Sequence, residues 1–145
     1  MPSTRRRVPA PTREDVNRRI RHAIERSVHY YERHPAEIPE RLRELDAEWD
    51  IERAVEANAA ALSFVGVLLG VGRGKRWLML PAVVGGLLFQ HAVQGWCPPA
   101  QMLRRLGFRT FGEIDEERQA LKAIRGDYRD IRPGDGRSVL RAVRA

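Results

Sequence analysis

The sequence predicts an all-α protein in which a two-helix membrane hairpin is flanked by amphipathic helical arms. Two stretches, 57–72 and 77–97, contain no charged residue, and the turn between them carries three positive charges. By contrast, residues 1–56 carry 12 Lys/Arg and 12 Asp/Glu, and residues 98–145 carry 11 and 7. Helices of soluble domains usually keep a charged face toward water. The middle of this chain has no such face, so we expect it to lie in a lipid bilayer.

The first part of the chain divides into a tail and a charged arm. Residues 1–11 hold three prolines and three arginines and are predicted to be a disordered basic tail. Residues 12–56 are predicted to be a charged amphipathic helical arm. Its first helix begins with a capping-box-like pair, Thr12 and Asp15. Apolar residues then recur at three- and four-residue steps along one face: Val16, Ile20, Ala23, Ile24, Val28 and Tyr31.

The first helix, which carries these apolar residues, should end near His34, because Pro35 disfavours helical geometry in the residue before it. A second helix is predicted to begin near Pro39. No helix breaker separates Trp49 from the apolar run that follows, so this helix is expected to continue without interruption to about Val71.

The hairpin is predicted at residues 57–97, with helices over 57–72 and 77–96 and a loop at 73–76. From Trp77 to Trp96 the second helix spans roughly 28 Å, close to the hydrocarbon thickness of a bilayer. Tryptophans at both ends suit the aromatic belts at membrane interfaces. The first helix is shorter, roughly 22 Å, unless it is extended at its start.

Residues 98–131 are predicted to be a C-terminal helical arm. Pro98 and Pro99 end the second apolar run, because proline cannot continue a helix hydrogen-bond ladder. A short amphipathic helix ends at Gly107, and a longer one begins with a capping box formed by Thr110 and Glu113. Residues 132–145 are interpreted as a flexible tail.

Four polar residues fall near the open end of the predicted hairpin. If Gly74 is the tip, Asn58 lies level with Gln90, and Glu56 lies near His91. Polar groups in hydrocarbon are costly unless they pair with one another. They could form an intramembrane polar site, such as a proton or anion relay, or simply hold the two helices together by hydrogen bonds. The second use is the commoner one.

Small residues are spaced to allow close helix packing. Gly66 and Gly70 form a GxxxG pair, and Ala82 with Gly86 repeats the small-xxx-small pattern. This spacing could hold the hairpin shut or support a homo-oligomer through Gly66 and Gly70.

Cys97 is the one cysteine, so no intrachain disulfide can form. A helix N-terminus at Pro98 would lower its pKa and favour a thiolate that carries sulfur or senses redox state. Alternatively, Cys97 is a small, half-buried apolar residue.

The remaining patterns give no catalytic or metal site. The histidines lack a carboxylate or thiol pattern that would complete a metal site. No phosphate-binding loop or Ser/His/Asp arrangement is present in the sequence, so we expect no cofactor, no metal and no enzymatic activity.

The net charge of zero on the N-terminal arm argues against nucleic acid as a partner. Five basic residues are instead predicted to meet anionic lipid headgroups, at about 1 kcal/mol each: Arg73, Lys75, Arg76, Arg104 and Arg105. For Arg104 and Arg105 a merely solvated face is an equal alternative.

Three short segments, Trp49–Arg53, Glu56–Ala60 and Gly95–Pro99, resemble the YgaP-like transmembrane domain family. The resemblance covers roughly residues 50–107 and includes a Gly-x-Cys-Pro turn at Gly95–Pro98. It implies a two-helix inner-membrane hairpin that occurs alone or beside a rhodanese sulfurtransferase domain. No rhodanese domain is present here, and the nucleophile of such fused relatives belongs to that domain. The resemblance therefore implies a stand-alone hairpin of unknown function.

Three hypotheses follow. The first is a non-enzymatic structural or interaction module of the bacterial inner membrane, whose arms contact lipid, one another or an unidentified protein partner. Five basic residues flank the hairpin closely, and they favour both termini in the cytoplasm, although the three basic residues of the loop argue the other way. The five are Arg43, Arg53, Arg104, Arg105 and Arg109. The second is a thiol-based accessory in sulfur handling that uses Cys97. The third is a soluble all-α protein that buries the hairpin under its arm helices.

Overall fold

The structure is a computed structural model that describes residues 7–129, 131 and 136–144, apart from the side chains of Arg141 and Arg144. Every regular element within these residues is helical, which confirms the all-α prediction. The chain forms two compact units, one built from residues 7–20 with Trp49–Phe111 and the other from Arg21–Glu48 with the described residues from Gly112 onward. The α-helices are α1 (Glu14–Arg33), α2 (Ile38–Ala47), α3 (Ile51–Gly72), α4 (Met79–Gln94), α5 (Pro98–Arg105), α6 (Phe111–Arg125) and α7 (Gly136–Arg144).

The first hairpin helix, α3, begins earlier than the sequence predicts. Asp50 is its N-cap, and its carboxylate accepts a 2.7 Å hydrogen bond from the backbone N–H of Arg53. The chain is extended at Glu48, so the uninterrupted helix expected through Trp49 is broken there. With 22 residues, α3 is about 33 Å long and is no longer the short member of the pair.

The hairpin turns at Gly74, whose φ of 138° is rarely adopted by residues with a side chain. A 3₁₀ turn over Lys75–Leu78 then leads directly into α4. Together the turn and α4 make 20 residues, and both hairpin helices are long and apolar enough to cross a membrane. Inside the hairpin, the two helices approach closely where Gly66 faces Pro81.

The open end of the hairpin has a small hydrophobic core, which we call the base. It contains Val8, Ile51, Val55, Cys97 and Ala100, with three partly buried neighbours packed against them. Val8 is 1% exposed, so the end of the predicted disordered tail is packed into the fold. Residues 1–6 of that tail lie outside the described residues.

The chain between Val8 and α1 is held by side-chain hydrogen bonds. The hydroxyl of Thr12 donates to the carbonyl of Val8 at 2.8 Å, and the amide of Asn17 donates to the carbonyl of Pro9 at 2.9 Å. Asp15 pairs with Arg13. The side chains of Thr12 and Asp15 thus have partners other than those of the predicted capping box.

The second unit has its own core of Ile38, Leu42, Leu45, Ile114 and Leu121. A buried polar cluster lies in the same unit. The carboxylate of Glu117 accepts hydrogen bonds from Ser27 Oγ at 2.5 Å and from Arg41 Nε at 2.9 Å. Burial acts to lower the pKa of Arg41, but its bonds to Glu117 and Glu44 outweigh burial and raise that pKa above the ordinary value. The guanidinium therefore stays charged.

The predicted flexible tail, residues 132–145, contains a helix. α7 occupies Gly136–Arg144, and the ammonium of Lys122 donates a 3.0 Å hydrogen bond to the carbonyl of Val143 near its C-terminus. Residues 132–135 and 145 lie outside the described residues. The prediction of a uniformly loose tail is therefore wrong over α7.

Candidate functional site at the base of the hairpin

The turn that leaves α4 is fixed by the N-terminal segment. Gly95 has a φ of 72° and donates its N–H to the carbonyl of His91 at 2.7 Å, which ends the helix. The backbone of Arg7 lies so close to Gly95 that an added Cβ would clash with it. Arg7 Nη1 also donates to the carbonyl of Ala92 at 3.1 Å. A cation at a helix C-terminus interacts favourably with the helix dipole.

His91 and Cys97 form a buried pair at this turn. The sulfur of Cys97 lies 3.5 Å from Nδ1 of His91, and the two residues are 2% and 4% exposed, respectively. The sequence predicted that His91 and Cys97 both fall at the open end of the hairpin, and the structure brings them into contact. Which atom donates depends on the imidazole tautomer.

The environment of Cys97 disfavours a thiolate. Burial raises the pKa of the thiol, and the backbone N–H of Ala100, in the first turn of α5, lowers it less. The helix N-terminus expected at Pro98 is thus present, but burial outweighs its effect on the pKa. Cys97 is part of the apolar base core, which agrees with the alternative of a small apolar residue.

Charged and polar groups surround the pair. Arg7 is close enough to interact electrostatically with both Glu52 and His91, and Glu56 also acts on His91. Four buried polar atoms here have no hydrogen-bond partner in the described chain: Arg7 Nε, Glu52 Oε2, His91 Nε2 and Gln101 Nε2. Buried polar groups normally find a protein or water partner. The base could therefore hold water or exchange a proton at His91.

The predicted polar layer forms only in part. Glu56 acts on His91, as its level in the hairpin suggested. Asn58, however, donates its amide to the carbonyl of Ala54 in its own helix at 2.7 Å. This local bond satisfies one amide N–H of Asn58 without help from α4.

The two small-residue patterns have different surroundings. A Cβ added to Gly66 would lie 2.6 Å from Pro81 Cδ, and one added to Gly70 would lie 2.5 Å from Leu78 Cδ2. These two glycines therefore hold the hairpin shut within one chain. Ala82 and Gly86 are exposed, and a Cβ added to Gly86 would meet nothing within 4 Å.

The residues predicted to meet lipid headgroups also differ in their exposure to solvent. Arg73, Lys75, Arg76 and Arg105 are exposed, as contact with lipid headgroups requires. Arg104 is 1% exposed, and the prediction for it is corrected. Its guanidinium donates to Asn17 Oδ1 at 2.8 Å and to the carbonyl of Phe108 at 3.2 Å.

Sequence reasoning missed the residues that close the base. Arg7, Val8, Asn17 and the buried role of Arg104 were not predicted. One available signal was Asn17, a polar residue that directly follows Val16 of the buried stripe. The backbone bond from Ile51 N–H to the carbonyl of Arg109, 2.9 Å long, joins α3 to the chain after α5 and leaves no sequence signature.

Within the described residues no group of three or more histidine, cysteine or acidic side chains could hold a metal ion. His22 and His29 are exposed and pair with Glu25 and Glu32, three residues further along α1. Comparison with protein-family models, curated proteins and solved structures finds no match to this chain. The resemblance to the YgaP-like family thus stays a prediction.

Proposed function

We propose that this chain is an integral membrane protein whose α3–α4 hairpin anchors a helical unit at the membrane as a non-enzymatic structural or interaction module. One observation carries the proposal: large apolar side chains are exposed along both hairpin helices. They include Leu62, Phe64, Val65, Val67, Leu68, Val71, Met79, Val83, Phe89 and Val93.

This exposure is costly in water. Burying apolar surface is worth about 25 cal/mol per Å², and soluble monomers rarely expose apolar patches larger than a few hundred Å². Phe64 is 65% exposed and Phe89 is 73% exposed. A soluble protein with a buried hairpin would have to cover these side chains. A bilayer solvates them at no such cost.

The proposed setting is the bacterial inner membrane, with both termini in the cytoplasm. The charged arms precede and follow the hairpin in the sequence, and moving them across a membrane would require desolvating many ions. The hairpin tip carries Arg73, Lys75 and Arg76 and no acidic residue, so only a short basic loop needs to cross. The tip would then meet the outer headgroup layer.

A sulfur-handling role receives less support from the geometry. It needs a cysteine that a sulfur donor can reach, and Cys97 is 2% exposed with a raised pKa. Self-association through Gly66 and Gly70 is also disfavoured, because both glycines pack inside the hairpin.

Carbonate washing of isolated membranes tests the proposal. The intact chain should stay in the pellet. A Phe64→Lys/Val83→Lys variant should shift to the supernatant, because both exposed residues lie about midway along their spans and each lysine costs about 3 kcal/mol at the centre of a bilayer. Phe111→Lys is the matched control, because Phe111 is 59% exposed but lies outside the hairpin. Recovery of the unaltered chain in the washed supernatant would overturn membrane insertion.

Orientation is tested separately with single cysteines in a Cys97→Ala background. Lys75→Cys marks the tip and Arg105→Cys marks the opposite end, and both positions are exposed. A membrane-impermeant maleimide added to intact cells should label Lys75→Cys alone. Labelling of Arg105→Cys alone would place the termini outside.

A further inference from the structure

Helix α7 is strongly amphipathic. Residues 136–145 contain three arginines and no acidic residue. At about 100° per residue, the apolar positions of the sequence share one side of this helix and the arginine positions share the other. The apolar positions are Val139, Leu140, Ala142 and Val143, and the arginine positions are 137, 141 and 144.

The apolar face of α7 is exposed. Val139, Leu140 and Val143 are 38%, 53% and 48% exposed, respectively, and none belongs to the core cluster of the second unit. The helix is held near its end by the bond from Lys122 Nζ to the carbonyl of Val143. Val143 also lines a cavity with residues of α2 and α6, so the open part of the apolar stripe is Val139 and Leu140.

We propose that α7 lies in the plane of an anionic lipid surface, with its apolar face in the headgroup–acyl boundary and its arginines against lipid phosphates. Basic amphipathic helices bind such surfaces through apolar burial combined with attraction to anionic headgroups. A positive face without acidic residues matches a surface of negative charge, and this complementarity selects lipid over a neutral partner.

The inference rests on the proposed membrane anchor. A nine-residue helix binds a vesicle weakly alone. A hairpin in the same chain would keep α7 near the bilayer at high effective concentration, so weak attraction would suffice. The hairpin and α7 would then be two separate membrane contacts, one spanning and one interfacial.

The test uses the full chain reconstituted in vesicles of phosphatidylcholine, with or without phosphatidylglycerol. In a Cys97→Ala background, Leu140→Cys carries an environment-sensitive fluorophore on the apolar face. Its emission should shift to the blue and rise severalfold in anionic vesicles, and high salt should reverse the change. Ser138→Cys, on the polar side of α7, is the matched control and should change little.

Further measurements keep the test decisive. A fluorophore at Val83→Cys reports whether the hairpin is inserted in the same vesicles. An inserted Val83 probe with an unchanged Leu140 probe overturns the inference while the anchor proposal stands. Equal shifts in neutral and anionic vesicles overturn the anionic requirement, and a concentration-dependent shift in detergent without lipid indicates a second copy instead. Hydrogen exchange of the unaltered chain, which needs no substitution, should slow at residues 136–144 only in anionic vesicles.

Discussion

The guanidinium of Arg104 donates a 2.8 Å hydrogen bond to the side-chain oxygen of Asn17, and both side chains are buried. This bond ties the start of α1 to α5 at the base of the hairpin. A buried cation needs such acceptors, because desolvation without them is expensive. The base is therefore held by a polar contact as well as by its apolar core.

Asn17→Ala is expected to destabilise the first unit by about 1–3 kcal/mol, because the guanidinium of Arg104 would lose an acceptor in a buried setting. Thermal unfolding of the detergent-solubilised chain measures the change. Arg18→Ala, at the exposed neighbouring position, should leave the midpoint nearly unchanged. Equal midpoints for the two variants would contradict the role assigned to this bond.

Gly66→Ala should loosen the hairpin, because its Cβ would lie 2.6 Å from Pro81 Cδ and force the helices apart. Gly86→Ala should be neutral or stabilise by up to about 1 kcal/mol, since alanine favours helix and the site is open. The measurement is the unfolding free energy in detergent. A larger loss at Gly86 than at Gly66 would show that the outer face, not the inner one, carries the close contact.

Glu117→Gln should destabilise the second unit by about 3 kcal/mol, because the side chain of Glu117 is 1% exposed and glutamine would give Arg41 a weaker acceptor there. Glu116→Gln is the control, because it removes the same charge at the adjacent exposed position. Chemical denaturation of both variants gives the comparison. Indistinguishable curves would mean that the buried ion pair adds nothing to stability.

Cys97 should react slowly with maleimide in the folded chain. Burial limits access, and a pKa raised above the ordinary value of 9.0 keeps the thiolate scarce near neutral pH. The rate should rise in the alkaline range and on denaturation. Lys75→Cys in a Cys97→Ala background, labelled at the exposed tip, gives the unhindered reference rate. Equal rates at neutral pH would reopen a reactive role for Cys97.

The hairpin could be predicted because its signal is local and repeated. Uncharged runs, a basic turn and terminal tryptophans are all readable along the chain. The start of α3 was missed because a single cap, Asp50, decides it. Helix boundaries depend on such individual contacts.

The candidate site could be predicted only where neighbours lie close along the chain. His91 and Cys97 are six residues apart, and their proximity could be anticipated. Arg7 and Arg104 contact residues that are 85 and 87 positions away. No periodicity marks such pairs, and a surface arginine and a buried one look alike in sequence. α7 was missed because its nine residues follow a proline–glycine sequence, which is typical of irregular chain.

The position of Arg7 against α4 has a consequence for the order of assembly. During synthesis, Arg7 emerges 85 residues before Ala92, its partner at the end of α4. Contacts so distant along the chain form late, because a long loop must close before they can be made. The N-terminal segment should therefore stay accessible to protease until α4 is complete, and its protection would mark the docking of Arg7 against the end of α4.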